Sequence, residues 1–346
     1  MVGILAAVLL LAACGSSEDP TARPSAPSTK VGGTVIMSLN HPQSLNPILN
    51  PVSTTIFTTP LFYNGLTRPG DNMEPAPDLA ESWDISTDGL TYTFKLRNGV
   101  KWHDGQPLTA EDVKFSWEAT CHPDNRTGRQ ICGFFTQVKG APEYKAGTAQ
   151  EISGITIMDS STIKVEMTEV FAPFLSVSAL QMILPKHKWK DVPVSEMSAH
   201  PMARGKGTVG TGPFVVESWT ANESIVLSAN LDYYEGRPNL DGITLRQTSQ
   251  APASTATRVS QLKVGEIQAM GLYAALPVDN VAEIEADPGN QVRAVVGLAN
   301  SYVEFNLRDP LFQDVRIRKA ISYATNRQEL WDVANRRGDT VMVLCL

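Results

Sequence analysis

Five histidines and four cysteines hold most of the metal-binding and nucleophilic potential of this 346-residue sequence. His41, His103, His122, His187 and His200 are dispersed. None pairs at the H-x-x-x-H spacing that puts two imidazoles on one helix face, so no protein-held metal or other cofactor is expected. There is no G-x-S-x-G nucleophile elbow and no H-E-x-x-H. Gly205-Lys206-Gly207-Thr208 lacks the spacing of a phosphate loop and reads as a flexible connection. Carboxylates are plentiful, but no pair stands out for general acid–base work. Trp102 and His103 lie between turn signals, where packing is the better reading than stacking or metal binding. The chemistry of the side chains therefore points away from an enzyme, and a lipoprotein hydrolase is only a remote alternative.

The cysteines say more. Val2 to Ala13 is an unbroken apolar and small-residue run ending in Leu11-Ala12-Ala13-Cys14. It is too short to span a bilayer as a helix and fits a signal-peptide core. Leu-Ala-Ala-Cys followed by Gly15 resembles a bacterial lipobox. That resemblance implies a diacylglyceryl group on Cys14, which then becomes the mature N-terminus, and stable anchoring by more than one acyl chain. No Lys or Arg precedes the run, so the true start is expected upstream. Export makes the other cysteines candidates for a disulfide. Cys121 and Cys132 enclose the turn formers Pro123, Asp124, Asn125 and Gly128. A bridge across so short a loop would contribute about 3 kcal/mol. Cys345 has no evident partner.

Net charge is −7 with Lys and Arg scattered, which argues against a nucleic-acid partner. The densest basic stretches, Lys186-His187-Lys188 with Lys190 and Arg316 with Arg318-Lys319, read as solvated faces. A length of 346 residues favours two domains, and 42% hydrophobic residues supply ample core.

The elements that must position any site can be read in outline. Residues 15–30 are rich in Ser, Pro, Thr and Ala and form a tether. Gly33 to Leu39 is strand-like. Ser53 is placed to cap a helix through Phe62, shortened or kinked by Pro60. Asp88-Gly89 is a hairpin turn leading into the alternating strand Thr91–Leu96. Thr109-Ala110-Glu111-Asp112 resembles a capping box, with Val113 and Trp117 four apart on the helix it starts. Ile155–Met158 and Ile163–Met167 flank a turn at Asp159-Ser160-Ser161. Gly212–Val216 and Ser224–Ala229 pair likewise. A helix carrying Val259 and Leu262 ends at Gly265. Val292–Val296 and Tyr302–Leu307 are strand-like. Asp314 caps a helix with Ile317, Ala320, Ile321 and Ala324 on one stripe.

Several of these segments together resemble the family 5 extracellular solute-binding proteins, the peptide receptors of ABC importers. They are Leu45-Asn46-Pro47 with Phe62-Tyr63-Asn64-Gly65-Leu66, and Pro77-Asp78-Leu79-Ala80-Glu81-Ser82-Trp83 running through Tyr92–Arg97 and Val100–Gly105 to Leu108–Val113. Gly210-Thr211-Gly212-Pro213-Phe214, Asp232-Tyr233-Tyr234, Gly236-Arg237-Pro238 and Phe312–Ala324 complete the set. The likeness covers about residues 31 to 331. Asn46, Gln268 and Asn326 stand where the family commonly has Asp.

The resemblance implies a mixed α/β (α+β), two-lobed clamshell fold of the periplasmic-binding-protein type, type II, with an extra α+β subdomain. The expected organisation is a signal peptide over 1–14, the tether over 15–30, and a first lobe over 31–250 with the subdomain at about 65–200. The start of a second lobe follows over 251–334, then a divergent tail over 335–346. Family members continue well beyond this point, so the second lobe is expected to be incomplete and ligand affinity reduced. The implied partners are a peptide, the permease and ATPase subunits of an importer, and the outer face of a bacterial cell membrane through the lipid anchor. A nickel chelate, an opine or an oligosaccharide as cargo, or a non-functional truncated copy, remain open. Ligand contacts are expected on Asn50, Ser53 and Thr54 after the Leu-Asn-Pro segment, on Met270 and Tyr273 after Gln268, and on Tyr302. The competing readings are Ser53 as an N-cap, Asn50 as a turn residue and Tyr302 as core.

Overall fold

Two separate sheets, each with its own apolar core, organise the chain. The computed structural model describes residues 31–40, 42, 44–48, 58–70, 74–125, 132–248, 253–270, 278–287, 289–290, 292 and 304–330. In chain order the strands are β1 (Thr34–Asn40), β2 (Thr67–Pro69), β3 (Pro75–Pro77), β4 (Ala80–Ile85), β5 (Thr91–Leu96), β6 (Ile155–Asp159), β7 (Thr162–Glu166), β8 (Phe214–Thr220), β9 (Ser224–Ala229), β10 (Gly242–Thr248) and β11 (Ala269–Met270). The helices are α1 (Ala110–Cys121), α2 (Ala141–Lys145), α3 (Phe174–Ser178), α4 (Lys186–Trp189), α5 (Ala253–Lys263), α6 (Val278–Glu285), α7 (Pro310–Gln313) and α8 (Val315–Ala324).

The antiparallel sheet β4-β5-β7-β6 follows directly from local pattern. Gly89 adopts φ +72° in the turn between β4 and β5, and its N–H donates to the Ser86 carbonyl. The alternation in β5 buries Tyr92, Phe94 and Leu96. Ile163 and Val165 of β7 bury on the same side. Over this face lies α1, started as expected. The Asp112 carboxylate accepts from the backbone N–H of Thr109 at 2.9 Å and from its hydroxyl at 3.1 Å. Val113, Trp117 and Cys121 recur on one stripe and join the core of this sheet, with Phe135 and Phe174 against Trp117.

The other sheet has the order β11-β1-β10-β9-β8. The expected hairpin β8–β9 is present, and β10 pairs antiparallel with β9. β1 then pairs parallel with β10 on one side and with β11 on the other. Its core holds Leu45, Phe62, Phe214, Val216, Ile225, Leu227, Ile243 and Leu245. Ala119 belongs to this second core, so α1 is packed between the two.

Two expectations are corrected and one is refined. The helix expected to run from Ser53 to Phe62 is described only at its end. There helical Thr58 runs into a 3₁₀ turn over Thr59–Leu61 with Pro60 in its first two positions, where a missing N–H costs nothing. Glu304 to Asn306, in the expected strand Tyr302–Leu307, form no strand. The boundary expected at 250 is not a break in the sheet, because β11 lies beyond it and pairs with β1. The cap on α8 is as read, with the Asp314 carboxylate accepting from the Arg316 N–H at 2.9 Å. Its apolar stripe does not bury, and Ile321 stays 39% exposed.

Candidate functional site

The three parallel strands give the five-stranded sheet a direction. Ser38 of β1 sits in register with Arg246 of β10 and Met270 of β11. The carboxyl ends of all three strands therefore emerge side by side. In open α/β sheets, ligands bind in the crevice outside these ends. The chain leaves this end into residues 41–57, 249–252 and 271–277. Met270 is half-buried at the end of β11. Ser38 is buried, and its Oγ has no hydrogen-bond partner.

The position where the family commonly has Asp is occupied by an amide that uses both its ends. The Gln268 N–H donates to the Ile36 carbonyl at 2.8 Å, and its Oε1 accepts from the Ile36 N–H at 2.9 Å. Its Nε2 donates to the Gly265 carbonyl at 2.8 Å. An ionised carboxylate has no donor for that last bond. Gln268 thus fixes the entry to β11 two residues before Met270.

The approach to residues 49–57 is equally fixed. Ser44, Leu45, Asn46, Pro47 and Ile48 are all buried. The Leu45 N–H donates to the Ala203 carbonyl at 2.9 Å, and the Ile48 N–H donates to Asn46 Oδ1 at 3.2 Å. Of the expected site residues, only Met270 is placed. Asn50, Ser53, Thr54, Tyr273 and Tyr302, with the lipidation candidate Cys14, lie outside the described residues. Cys121 and Cys132 are bonded, with their Cα atoms 5.0 Å apart.

A second polar cluster lies between the two sheets. Buried Asp78 accepts from Asn64 Nδ2 at 3.1 Å and from the Tyr234 hydroxyl. Asn64 Oδ1 accepts from the Thr211 hydroxyl at 3.0 Å. Arg97 Nε donates to the Asp78 carbonyl at 2.6 Å, and its guanidinium lies over the Tyr234 ring at 5.7 Å. Burial pushes the Asp78 carboxyl up to about 6, against the opposing pull of the Tyr234 and Asn64 hydrogen bonds. Burial, and then the charge of Asp78, raise the Tyr234 phenol far above its ordinary range.

His103 completes this junction. Its Nδ1 accepts from the Gly210 N–H at 3.2 Å, which leaves Nε2 as the donor to the Gly212 carbonyl at 3.0 Å. Asn230 Nδ2 donates to the same carbonyl at 3.0 Å. Burial lowers the His103 imidazole below its usual value. A side chain added at Gly210 or Gly212 would meet the Phe62 backbone at 1.7 and 2.5 Å. Trp102 beside it is buried. The pair is packing and clamp, as the sequence suggested. The basic stretch at 186–190 is likewise occupied by neighbours: Lys186 pairs with Glu111 at 2.7 Å, and Asp104 takes His187 at 2.8 Å and Lys188 at 3.2 Å.

The spacing of the motifs did not show this junction. Asn64, Asp78, Thr211 and Tyr234 were visible as family residues without a role. One signal was available: an aspartate directly before Leu79-Ala80, in a segment that buries, needs partners. Among the described residues, no group of three or more His, Cys, Asp or Glu is placed to hold a metal. No helix among them is long and apolar enough to cross a membrane.

The mixed α/β architecture, with three parallel strands ending side by side, is that of the binding-protein class. The chain belongs to the bacterial extracellular solute-binding proteins, family 5, whose model matches residues 74–342. It is 29% identical over 332 residues to the oligopeptide-binding protein AppA of Bacillus subtilis, covering 94% of this chain and 56% of that one. Among solved structures it is similar to DppA from Helicobacter pylori in complex with the peptide STSA. That match has 27% identity and a TM-score of 0.70, over 89% of this chain and 59% of that one. NikZ from Campylobacter jejuni in complex with Ni(L-His) matches at 26% identity and a TM-score of 0.65, over 87% and 55%. The chain spans about half the length of the curated relatives it matches, from 43% to 59% of each.

Proposed function

We propose that this chain serves as the extracytoplasmic substrate-binding component of an ABC importer, holding a peptide at the carboxyl end of β1, β10 and β11 and not acting as an enzyme. One observation supports this reading: in a family 5 chain the parallel strands β1, β10 and β11 end side by side, with Met270 at the end of β11. A cleft there can read a peptide's main chain by hydrogen bonds while wet pockets accept varied side chains. Tyr302 is proposed as a further ligand contact. Cys14 carries the lipid that holds the chain at the membrane, 15–30 form the tether, and the second lobe begins beyond β11. The importer's permease and ATPase subunits are its partners.

The likeness to NikZ supports a second cargo, a nickel chelate. NMR titration separates the two and registers even millimolar affinities. Saturable shifts at Ser38, Gln268 and Met270 are expected with mixed tetrapeptides. Shifts with nickel–histidine alone would replace the peptide reading by the chelate one. Peptide cleavage in the same tube would sink the claim that the chain only binds.

A further inference from the structure

Helix α1, near the entry to residues 49–57, is packed between both cores. Its last carbonyls have no intrahelical donors. Asn125 supplies them. The Asn125 Nδ2 lies 3.2 Å from the Ala119 carbonyl and 3.0 Å from that of Thr120. The same nitrogen lies 3.3 Å from the carbonyl of Ile48. Two amide protons are thus shared among three acceptors, two from the helix and one from the incoming chain. Asn125 and Ile48 are both buried, at 2% and 1% exposure.

Asn125 reaches this place because its loop is held at three points. Its own N–H donates to the His122 carbonyl at 2.9 Å. The Cys121–Cys132 bond closes the loop onto the last residue of α1. The Asp124 N–H donates to His122 Nδ1 at 3.2 Å. Ile48 is the last described residue before Asn50, and it is already held from the other side by Asn46.

We propose that Asn125 is a positioning residue for the ligand-bearing segment, gripping the Ile48 carbonyl from the end of α1, and that the Cys121–Cys132 disulfide sets that grip. The inference rests on the reading of residues 50–54 as ligand contacts. It assigns the disulfide a role in ligand affinity without contact to ligand.

Hydrogen exchange with mass spectrometry and peptide titration test it together. Asn125→Ala, and Cys121→Ser combined with Cys132→Ser, are each compared with the unaltered chain. At least a tenfold rise in exchange across 49–57 is expected in both, with exchange in β5 and β7 unchanged. Peptide affinity is expected to fall about tenfold in parallel. Unchanged exchange across 49–57 in folded Asn125→Ala overturns the positioning role. Faster exchange with intact peptide affinity overturns the link to ligand and places the fault in the reading of residues 50–54. If the unaltered chain binds no peptide, the functional reading has failed and the exchange arm alone decides the grip. Should Asn125→Ala not fold, the double serine variant supplies the same comparison.

Discussion

At the junction between the two sheets, Asn64, Asp78, Thr211 and Tyr234 satisfy one another, and two glycines press backbone on backbone. At the carboxyl end of β1, by contrast, Ser38 is buried without a partner and Met270 is only half covered. The motif residues that make the family recognisable are concentrated at the first place, not the second. A fully paired polar cluster specifies one arrangement of its neighbours, and any missing member leaves a buried group exposed to the full cost of desolvation. A strand-end crevice needs the opposite property, polar groups kept for something that arrives later. The recognisable residues therefore report how the two sheets are joined.

The contrast can be broken by substitution. Gly212→Ala is expected to have the largest effect, a loss of about 3 kcal/mol or outright failure to fold, because the added methyl meets immovable backbone of Phe62. A urea midpoint close to that of the unaltered chain would show the junction to be softer than its geometry. Asp78→Ala comes next, at about 2–3 kcal/mol, since the Asn64 amide and the Tyr234 hydroxyl lose their acceptor while buried.

The pH dependence sharpens the same comparison, because two junction groups shift in opposite senses. The Asp78 carboxyl is raised from 3.8 to about 6, so the folded state holds more protons than the unfolded one between those values. Its contribution is complete below pH 3.8 and is lost as pH rises through 6. Asp78→Asn should remove that slope from a pH series of denaturation midpoints, and a slope that persists would assign it elsewhere. His103 is lowered from 6.5, so the unfolded state holds more protons. Its contribution is complete above pH 6.5 and is lost as pH falls through the depressed value. His103→Gln should flatten stability on the acidic side of 6.5 in the same series of denaturation midpoints. The smallest change is expected at the other region. Met270→Ala should cost less than about 1 kcal/mol at its half-buried strand end while weakening peptide binding measurably by NMR titration. A large loss of stability with unchanged binding would make Met270 part of the junction's structural class.

Much of the local architecture was legible. The turn at Asp88-Gly89, the alternation of Thr91–Leu96, the Thr109/Asp112 cap, the stop at Gly265 and the Asp314 cap each depend on residues within a few positions of one another. Strand β10 was missed, because Gly242–Thr248 gains its identity only from β1, some 200 residues earlier, and from β9. Pro60 weakened the helix expected after Ser53 by chemistry the sequence already displayed.

Sequence by itself determined what short-range physics can encode: the hairpins, the caps, the candidate anchor at Cys14 and the family. Tertiary structure alone decided that β11 joins the five-stranded sheet, that His103 clamps Gly212, that Tyr234 reaches Asp78, and that Asn125 meets Ile48. A hydrogen-bonding side chain shows its capacity in the sequence but not its partner. Partners 77 to 156 residues apart are chosen only when sheets pair and cores close, since burial is what makes each bond necessary.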